Sequence, residues 1–175
     1  RRIQKIIDNL KHLGRQDRGH MDELADIGKV LNGAVALLEA RIRKHTDVFA
    51  LDLPEALPTV KGNVQQLEQV FINVIVNALE SLPDRNHSVR VSARPDSTGT
   101  RVIVEVADQG TGIAEDVMPH LGEPFVTTKA ESGGTGLGLS ISSSIVDKHG
   151  GVLRFATNDD HGTTVSIDLP AATEE

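Results

Sequence analysis

Apolar residues recur every three or four positions in four segments of the chain, a spacing that predicts amphipathic helices. These segments are residues 1–15, 24–45, 63–82 and 137–149. The second segment, 24–45, predicts a long helix, with or without a short strand over 20–24 before it. In the third, polar residues line the face opposite the apolar one; they are Gln69, Asn73, Asn77 and Glu80.

Alternation of apolar and polar residues predicts five strands outside those helices. One covers 49–53 and is stopped by Pro54. The other four form two hairpins, over 88–107 and 152–169, the first joined by the turn-rich segment Pro95–Gly99. Strands paired in hairpins with helices segregated between them predict an α+β fold. We expect a two-layer sandwich whose mixed, mostly antiparallel sheet carries the helices on one face.

Composition narrows the functional classes. The 175 residues are enough for one well-buried core. The net charge of -7 argues against a nucleic acid or an anionic membrane as partner, because either would need a basic face. The chain has no cysteine and no apolar run long enough to span a membrane. It begins with Arg1 rather than Met, which predicts a piece of a longer protein.

Asp108 is the first candidate for chemistry. It continues the alternation of the valines before it, so its carboxylate is predicted to point toward the core with them. A buried carboxylate is costly unless it accepts hydrogen bonds, and the exocyclic amine of adenine would be a suitable donor. Gly110 and Gly112 leave room beside it for a flat ring, and Ile113 offers an apolar wall. The alternative is an ordinary Asp-x-Gly turn without a ligand.

Two further groups point to phosphate and metal. Asn73 and Asn77 are one helical turn apart on the polar stripe, and an amide oxygen suits Mg²⁺ that keeps most of its water. Solvated asparagines are the alternative. The glycine-spaced segment 134–138 precedes the last helix, so its backbone amides and the helix dipole could bind phosphates. Such a segment alone is also a common surface turn.

Taken in order, Asn73–Ala78, Asp108–Ile113, Glu123–Phe125 and Gly134–Leu139 resemble the N, G1, F and G2 boxes of the ATP-binding domain of sensor histidine kinases. The superfamily to which that ATP-binding domain belongs also contains gyrase-type and Hsp90-type ATPases. The match runs over 67–170. It implies a Bergerat-type fold, ATP and Mg²⁺ as cofactors, and transfer of the γ-phosphoryl group to a histidine.

The resemblance also implies roles for individual residues. Asn77 matches the asparagine that coordinates Mg²⁺, and Asn73 occupies the position where ATP-hydrolysing relatives carry a glutamate base. Both are candidate catalytic residues, and hydrolysis is expected to be slow because an amide cannot take a proton from water. Thr128 and Lys129 lie in a polar segment expected to cover the nucleotide, although a solvated lysine is the alternative. The expected nucleotide-binding residues are Asn77, Asp108, Gly110, Gly112, Ile113, Thr128, Lys129, Gly134, Thr135, Gly136, Leu137 and Gly138.

Residues 1–16 resemble the end of the second helix of a dimerisation and phosphotransfer domain, and 17–175 the catalytic domain. The acceptor histidine is expected upstream, because neither His12 nor His20 has the proline of the family's acceptor motif. The implied partners are that upstream domain and the receiver domain of a response regulator. The intact protein is expected to be a homodimer with this domain in the cytoplasm. Two rivals stay open: a gyrase- or Hsp90-type ATPase, and a non-catalytic scaffold module that binds ATP.

Overall fold

The computed structural model describes residues 21–121, 137–158 and 162–172. In these ranges the chain forms three α-helices, seven strands and one 3-10 helix. The helices are α1 (Ile27–His45), α2 (Val64–Ser81) and α3 (Gly138–Lys148), and the 3-10 helix is Met118–His120. The strands are β1 (Leu24–Ala25), β2 (Val48–Asp52), β3 (Val60–Lys61), β4 (Ser88–Pro95), β5 (Arg101–Asp108), β6 (Val152–Thr157) and β7 (Thr163–Pro170).

Five of the strands form one sheet in the order β2-β4-β5-β7-β6. β2 pairs with β4 in parallel, whereas the other neighbouring strands are antiparallel. The short strands β1 and β3 pair with each other separately. The mixed, mostly antiparallel sheet and its two hairpins are therefore confirmed. The helix expected over 1–15 lies outside the described residues.

The helices cover one face of the sheet. Alternate residues of β5, ending with Asp108, are buried on that face, and so are their neighbours on β4 and β7. Together with residues from all three helices they form one hydrophobic core. The opposite face carries ion pairs, such as Arg101 with Asp168 at 2.5 Å and Arg94 with Glu105 at 3.8 Å. This arrangement confirms the predicted α+β sandwich.

α2 is the central helix of its layer, because it packs against both α1 and α3. Its predicted core face is buried at Leu67, Phe71 and Val74. Ile75 and Leu79 are fully buried as well. The buried face is wider than the sequence pattern predicts, since α2 contacts two helices in addition to the sheet.

Side-chain caps set where the first two helices begin. Asp26 precedes α1, and its Oδ1 accepts a hydrogen bond from the backbone N–H of Lys29 at 3.1 Å. Asn63 caps α2 in the same way, accepting from the N–H of Gln66 at 3.0 Å. α1 begins after a short strand, as one of the two predicted arrangements has it, but that strand covers Leu24–Ala25 rather than the predicted 20–24, and the helix begins at Ile27 and not at Leu24. None of the helices described is both long and apolar enough to cross a membrane.

Candidate functional site

Asp108 ends β5 with its carboxylate buried. The residue is 4% exposed and lies on the helix-covered face of the sheet, as the alternation predicts. Its Oδ1 accepts hydrogen bonds from the backbone N–H groups of Gly110 at 2.8 Å and Thr163 at 3.3 Å. These donors offset part of the cost of burying a carboxylate and fix its orientation.

The turn after Asp108 packs against the C-terminal end of α2. A Cβ at Gly110 would lie 2.1 Å from Ser81 Oγ and 2.7 Å from Asp108 Oδ1, so a larger residue does not fit there. Gly112 has a φ of 72°, in the left-handed region that favours glycine. The N–H of Thr111 donates to the main-chain oxygen of Ser81 at 3.2 Å. The turn is therefore fixed to α2 beside the carboxylate.

Asn73 connects α2 to the start of α3. Its Nδ2 donates to the main-chain oxygen of Gly138 at 3.2 Å and to Ser142 Oγ at 3.3 Å. Ser142 is fully buried, and its hydroxyl donates to the same oxygen of Gly138 at 2.9 Å. The Asn73 amide thus acts as a donor toward α3, which a carboxylate at this position could not do.

Asn77 lies between these two contacts of α2. It follows Asn73 by one helical turn and precedes Ser81 by another, so the three residues share one side of the helix. Its side chain is half-buried. Because Asn73 contacts the first residue of α3 and Ser81 contacts the turn after Asp108, Asn77 lies on α2 between these two contacts.

The first turn of α3 has the features of an anion-binding helix end. Leu137, which precedes it, is buried and provides no side-chain cap, and no acidic residue lies in the first turn. Backbone N–H groups at such an end favour a negative charge.

Of the other residues predicted to contact the nucleotide, Ile113 is half-buried. Thr128, Lys129 and 134–136 lie outside the described residues.

A metal ion would depend on few protein ligands here. Within 21–121, 137–158 and 162–172, no group of three or more His, Cys, Asp or Glu side chains could hold one. The Asn77 amide, together with water and oxygen atoms of a ligand, is a donor set that suits Mg²⁺.

Glu80, at the end of the polar stripe, forms an ion pair with Arg41 of α1, and this ion pair favours a structural role for Glu80.

Two serines of the site are not among the predicted residues. Ser81 follows Asn77, and Ser142 follows Gly138, each by one helical turn. Helical spacing could have indicated that each serine shares a side of its helix with the predicted residue. The hydrogen bond between Asn73 and Gly138 joins residues 65 positions apart, so local patterns could not have indicated it.

Comparison with known proteins identifies the family. The model of the family described as "Histidine kinase-, DNA gyrase B-, and HSP90-like ATPase" matches residues 62–173. Sporulation kinase A of Bacillus subtilis (strain 168) is 34% identical over 169 residues, which cover 97% of this chain and 27% of that protein. The chain spans about a quarter of the length of the first curated relatives that it matches.

Two solved structures share the fold. The catalytic domain of histidine kinase ThkA, in a nucleotide-free form, has a TM-score of 0.75 and 28% identity, covering 86% of this chain and 99% of that one. Full-length ShkA in complex with AMPPNP has a TM-score of 0.78 and 27% identity, covering 96% of this chain and 35% of that one. The chain therefore belongs to the family of histidine kinase-, DNA gyrase B- and HSP90-like ATPases, as an ATP-binding catalytic domain of the sensor histidine kinase type.

Proposed function

We propose that this domain binds Mg²⁺-ATP and positions the γ-phosphoryl group for transfer to a histidine on another domain of the intact protein. One observation carries the proposal. α2 holds the turn after Asp108 through Ser81 and the start of α3 through Asn73, with Asn77 between them. Both ends of a nucleotide would then meet groups fixed by one helix. Such positioning, with charge stabilisation, is what phosphoryl transfer requires of a protein.

At the base end, we propose that Asp108 accepts a hydrogen bond from the exocyclic amine of adenine. Its Oδ1 already accepts from two backbone N–H groups, so the carboxylate is oriented before a ligand binds. Gly112 adds no side chain beside it, which leaves room for a flat ring. The space beside the Gly110 Cα is instead filled by Ser81 and by the Asp108 carboxylate, so Gly110 serves to bring the turn close to α2. Ile113 would supply an apolar contact to that ring.

At the phosphate end, we propose that backbone N–H groups of the loop 134–138 bind the β- and γ-phosphates at the N-terminus of α3. Thr128 and Lys129 would add contacts from the segment before that loop. Asn77 would be the protein ligand of Mg²⁺, which would neutralise negative charge on the phosphate groups. Asn73 would keep the start of α3 in place through its hydrogen bond to Gly138.

The partners are proposed from the relatives. Sporulation kinase A is named a kinase, and the ShkA structure contains AMPPNP, which supports nucleotide binding by this chain. We propose that 1–16 are the end of the dimerisation and phosphotransfer helix and that 17–175 form the catalytic domain. The intact protein would be a homodimer that acts in the cytoplasm and passes phosphate to the receiver domain of a response regulator.

Asn73 distinguishes this proposal from a gyrase- or Hsp90-type ATPase. Its amide donates to Gly138 and cannot take a proton from water, so slow ATP turnover by this domain alone is expected. A scaffold module that binds ATP without transferring phosphate would share every contact described above. Transfer itself therefore has to be measured in addition to binding.

Binding is tested by calorimetry of ATP and ADP with and without Mg²⁺, a method that suits a chain without tryptophan. Asp108→Asn keeps the side-chain shape but replaces the carboxylate, and should lower affinity about tenfold. Asp168→Asn changes a carboxylate on the opposite face of the same sheet and should bind like the wild type. Equal binding by the wild type and Asp108→Asn would refute the base contact.

Transfer is tested by supplying the histidine-bearing segment of the intact protein in trans with labelled ATP. Labelled phosphohistidine that disappears in Asn77→Ala is the expected result. Tight nucleotide binding without transfer would favour the scaffold module. Rapid release of free phosphate by this domain alone would favour the ATPase.

A further inference from the structure

Asn158, the residue after β6, reaches Asp108 with its side chain. Asn158 follows β6 directly and is half-buried. Its Nδ2 donates to the main-chain oxygen of Asp108 at 3.0 Å, and its Oδ1 accepts from the hydroxyl of Thr164 at 2.5 Å. Both ends of the amide are therefore engaged, one of them by the residue proposed to bind the base.

The carbonyl group of Asp108 lies where the strand pairing stops. The pairing of β5 with β7 ends at Ala107, opposite Thr164, so the next carbonyl is beyond the ladder. Asn158 supplies its donor. The hydroxyl of Thr164 donates to Oδ1 of Asn158, which turns Nδ2 toward Asp108. A side-chain amide thus extends the hydrogen bonding of the sheet by one group.

The start of β7 contacts Asp108 at two further points. A Cβ added at Gly162 would lie 1.8 Å from the main-chain oxygen of Asp108, so the backbone there lies against that carbonyl. The N–H of Asn158 donates to the oxygen of Gly162 at 2.8 Å. The N–H of Thr163 donates to Oδ1 of Asp108 at 3.3 Å. The carbonyl and the carboxylate of Asp108 are therefore both fixed from this side.

We propose that Asn158 is a positioning residue that holds the Asp108 carboxylate in the geometry that selects adenine. The inference rests on the proposed function, in which Asp108 accepts from the exocyclic amine. Without Asn158, the end of β5 could shift, and a hydrogen bond weakens steeply as its distance and angle change. Guanine carries an oxygen where adenine carries that amine, so guanine nucleotides gain nothing from the geometry. Loss of Asn158 should therefore reduce the preference for adenine.

The test compares the affinities for ADP and GDP in the presence of Mg²⁺, on the whole 175-residue chain. ADP is measured by calorimetry and GDP by competition against it. Asn158→Ala should lower the ADP affinity about tenfold and leave the GDP affinity unchanged. Asn158→Asp should do the same, because it can accept from Thr164 but places an oxygen opposite the Asp108 carbonyl. Thr164→Val frees the Asn158 amide to rotate and should lower the ratio of the ADP affinity to the GDP affinity. Thr164→Ser keeps a hydroxyl and should leave that ratio unchanged.

The outcomes separate this inference from a purely structural role. A folded Asn158→Ala with the wild-type ratio of affinities would overturn it, and so would an equal fall in both affinities. If Asn158→Ala does not fold, Thr164→Val decides in its place, and an unchanged ratio overturns the inference. Failure of the proposed function looks different: the wild type would not bind ADP, or Asp108→Asn would bind it equally well.

Discussion

The side-chain amide of Asn73 donates a hydrogen bond to the main-chain oxygen of Gly138, so the central helix holds the first residue of α3. The same nitrogen donates to Oγ of Ser142. An amide nitrogen carries the two protons that these contacts need, whereas a carboxylate carries none. The residue that the resemblance places at the general-base position of ATP-hydrolysing enzymes is therefore a donor in this chain.

Asn73→Asp should weaken the binding of ADP more than that of adenosine. Its carboxylate would face the oxygen of Gly138 and displace the start of α3, where the phosphates are proposed to bind. We expect about tenfold weaker ADP binding and unchanged adenosine binding, measured by calorimetry. Gln69→Glu, an amide-to-acid change one turn earlier on α2, is the matched control. Equal losses for both ligands would contradict the phosphate-end role of Asn73.

Local periodicity is enough to predict much of this fold. The inward orientation of Asp108 follows from alternation along β5, because side chains of a strand alternate between its faces. The start of α2 follows from Asn63, a residue type that favours the N-cap position. The two hairpins follow from their turn-rich connections. In each case the decisive residues are neighbours in sequence.

What the sequence does not predict depends on residues distant along the chain. The parallel pairing of β2 with β4 leaves no mark in the alternation of either strand. The N–H of Asn63 donates to the ring of His149, 86 positions away, and nothing around that histidine indicates its burial. Asn158 likewise contacts Asp108 across 50 positions. Predictions from such contacts therefore need the structure.

Gly162→Ala should destabilise the protein strongly. The added Cβ would lie 1.8 Å from the main-chain oxygen of Asp108, which cannot move without shifting the end of β5. Overpacking of this kind should lower the free energy of unfolding by ~3 kcal/mol. Gly99→Ala is the control, because Gly99 has a φ of 70° but nothing within 4 Å, which leaves a backbone cost of ~1 kcal/mol. Urea denaturation of both variants measures the difference, and the reverse order would contradict the prediction.

His149 joins the C-terminal end of α3 to the N-terminus of α2. Its ring is buried, with Nε2 accepting from the N–H of Asn63 at 3.0 Å. Nδ1 therefore carries the proton and donates to the oxygen of Ile145 at 2.7 Å. A Cβ at Gly62 would lie 2.1 Å from the ring, so the ring fills the space beside that glycine. One side chain thus connects two helices of the site at the end away from Asn77.

His149→Ala should lower the free energy of unfolding by ~3 kcal/mol, because it leaves both a cavity and an unpaired buried N–H group. His45→Ala is the matched control. His45 makes the same type of contact, from Nδ1 to the oxygen of Arg41 at 2.9 Å, but no hydrogen bond from its ring to another helix is seen in the described residues. Its replacement should cost less than ~1 kcal/mol. Chemical denaturation measures both variants. Similar losses in the free energy of unfolding would show that the connection between helices through His149 adds little to stability.

Asp26 should make stability depend on pH in the acid range. The backbone N–H of Lys29, which donates to this carboxylate, holds the pKa of Asp26 below its ordinary value of 3.8. The folded state thus favours the ionised form, so the stabilisation is present above the unfolded pKa. It is lost as pH falls from about 4 through the folded pKa. Because the Asp26 side chain is 47% exposed, solvent screening keeps this charge-dependent part below ~1 kcal/mol.

Two substitutions separate the charge of Asp26 from its role as a helix cap. Asp26→Asn keeps an oxygen that can accept from Lys29 but cannot ionise, so its stability should approach that of the wild type as pH falls below about 4. Asp26→Ala removes the cap and should cost ~1 kcal/mol near neutral pH. Urea denaturation of the three proteins between acid and neutral pH measures both effects. If Asp26→Asn instead stays parallel to the wild type across this range, the charge of Asp26 does not contribute to stability and the cap acts through its oxygen alone.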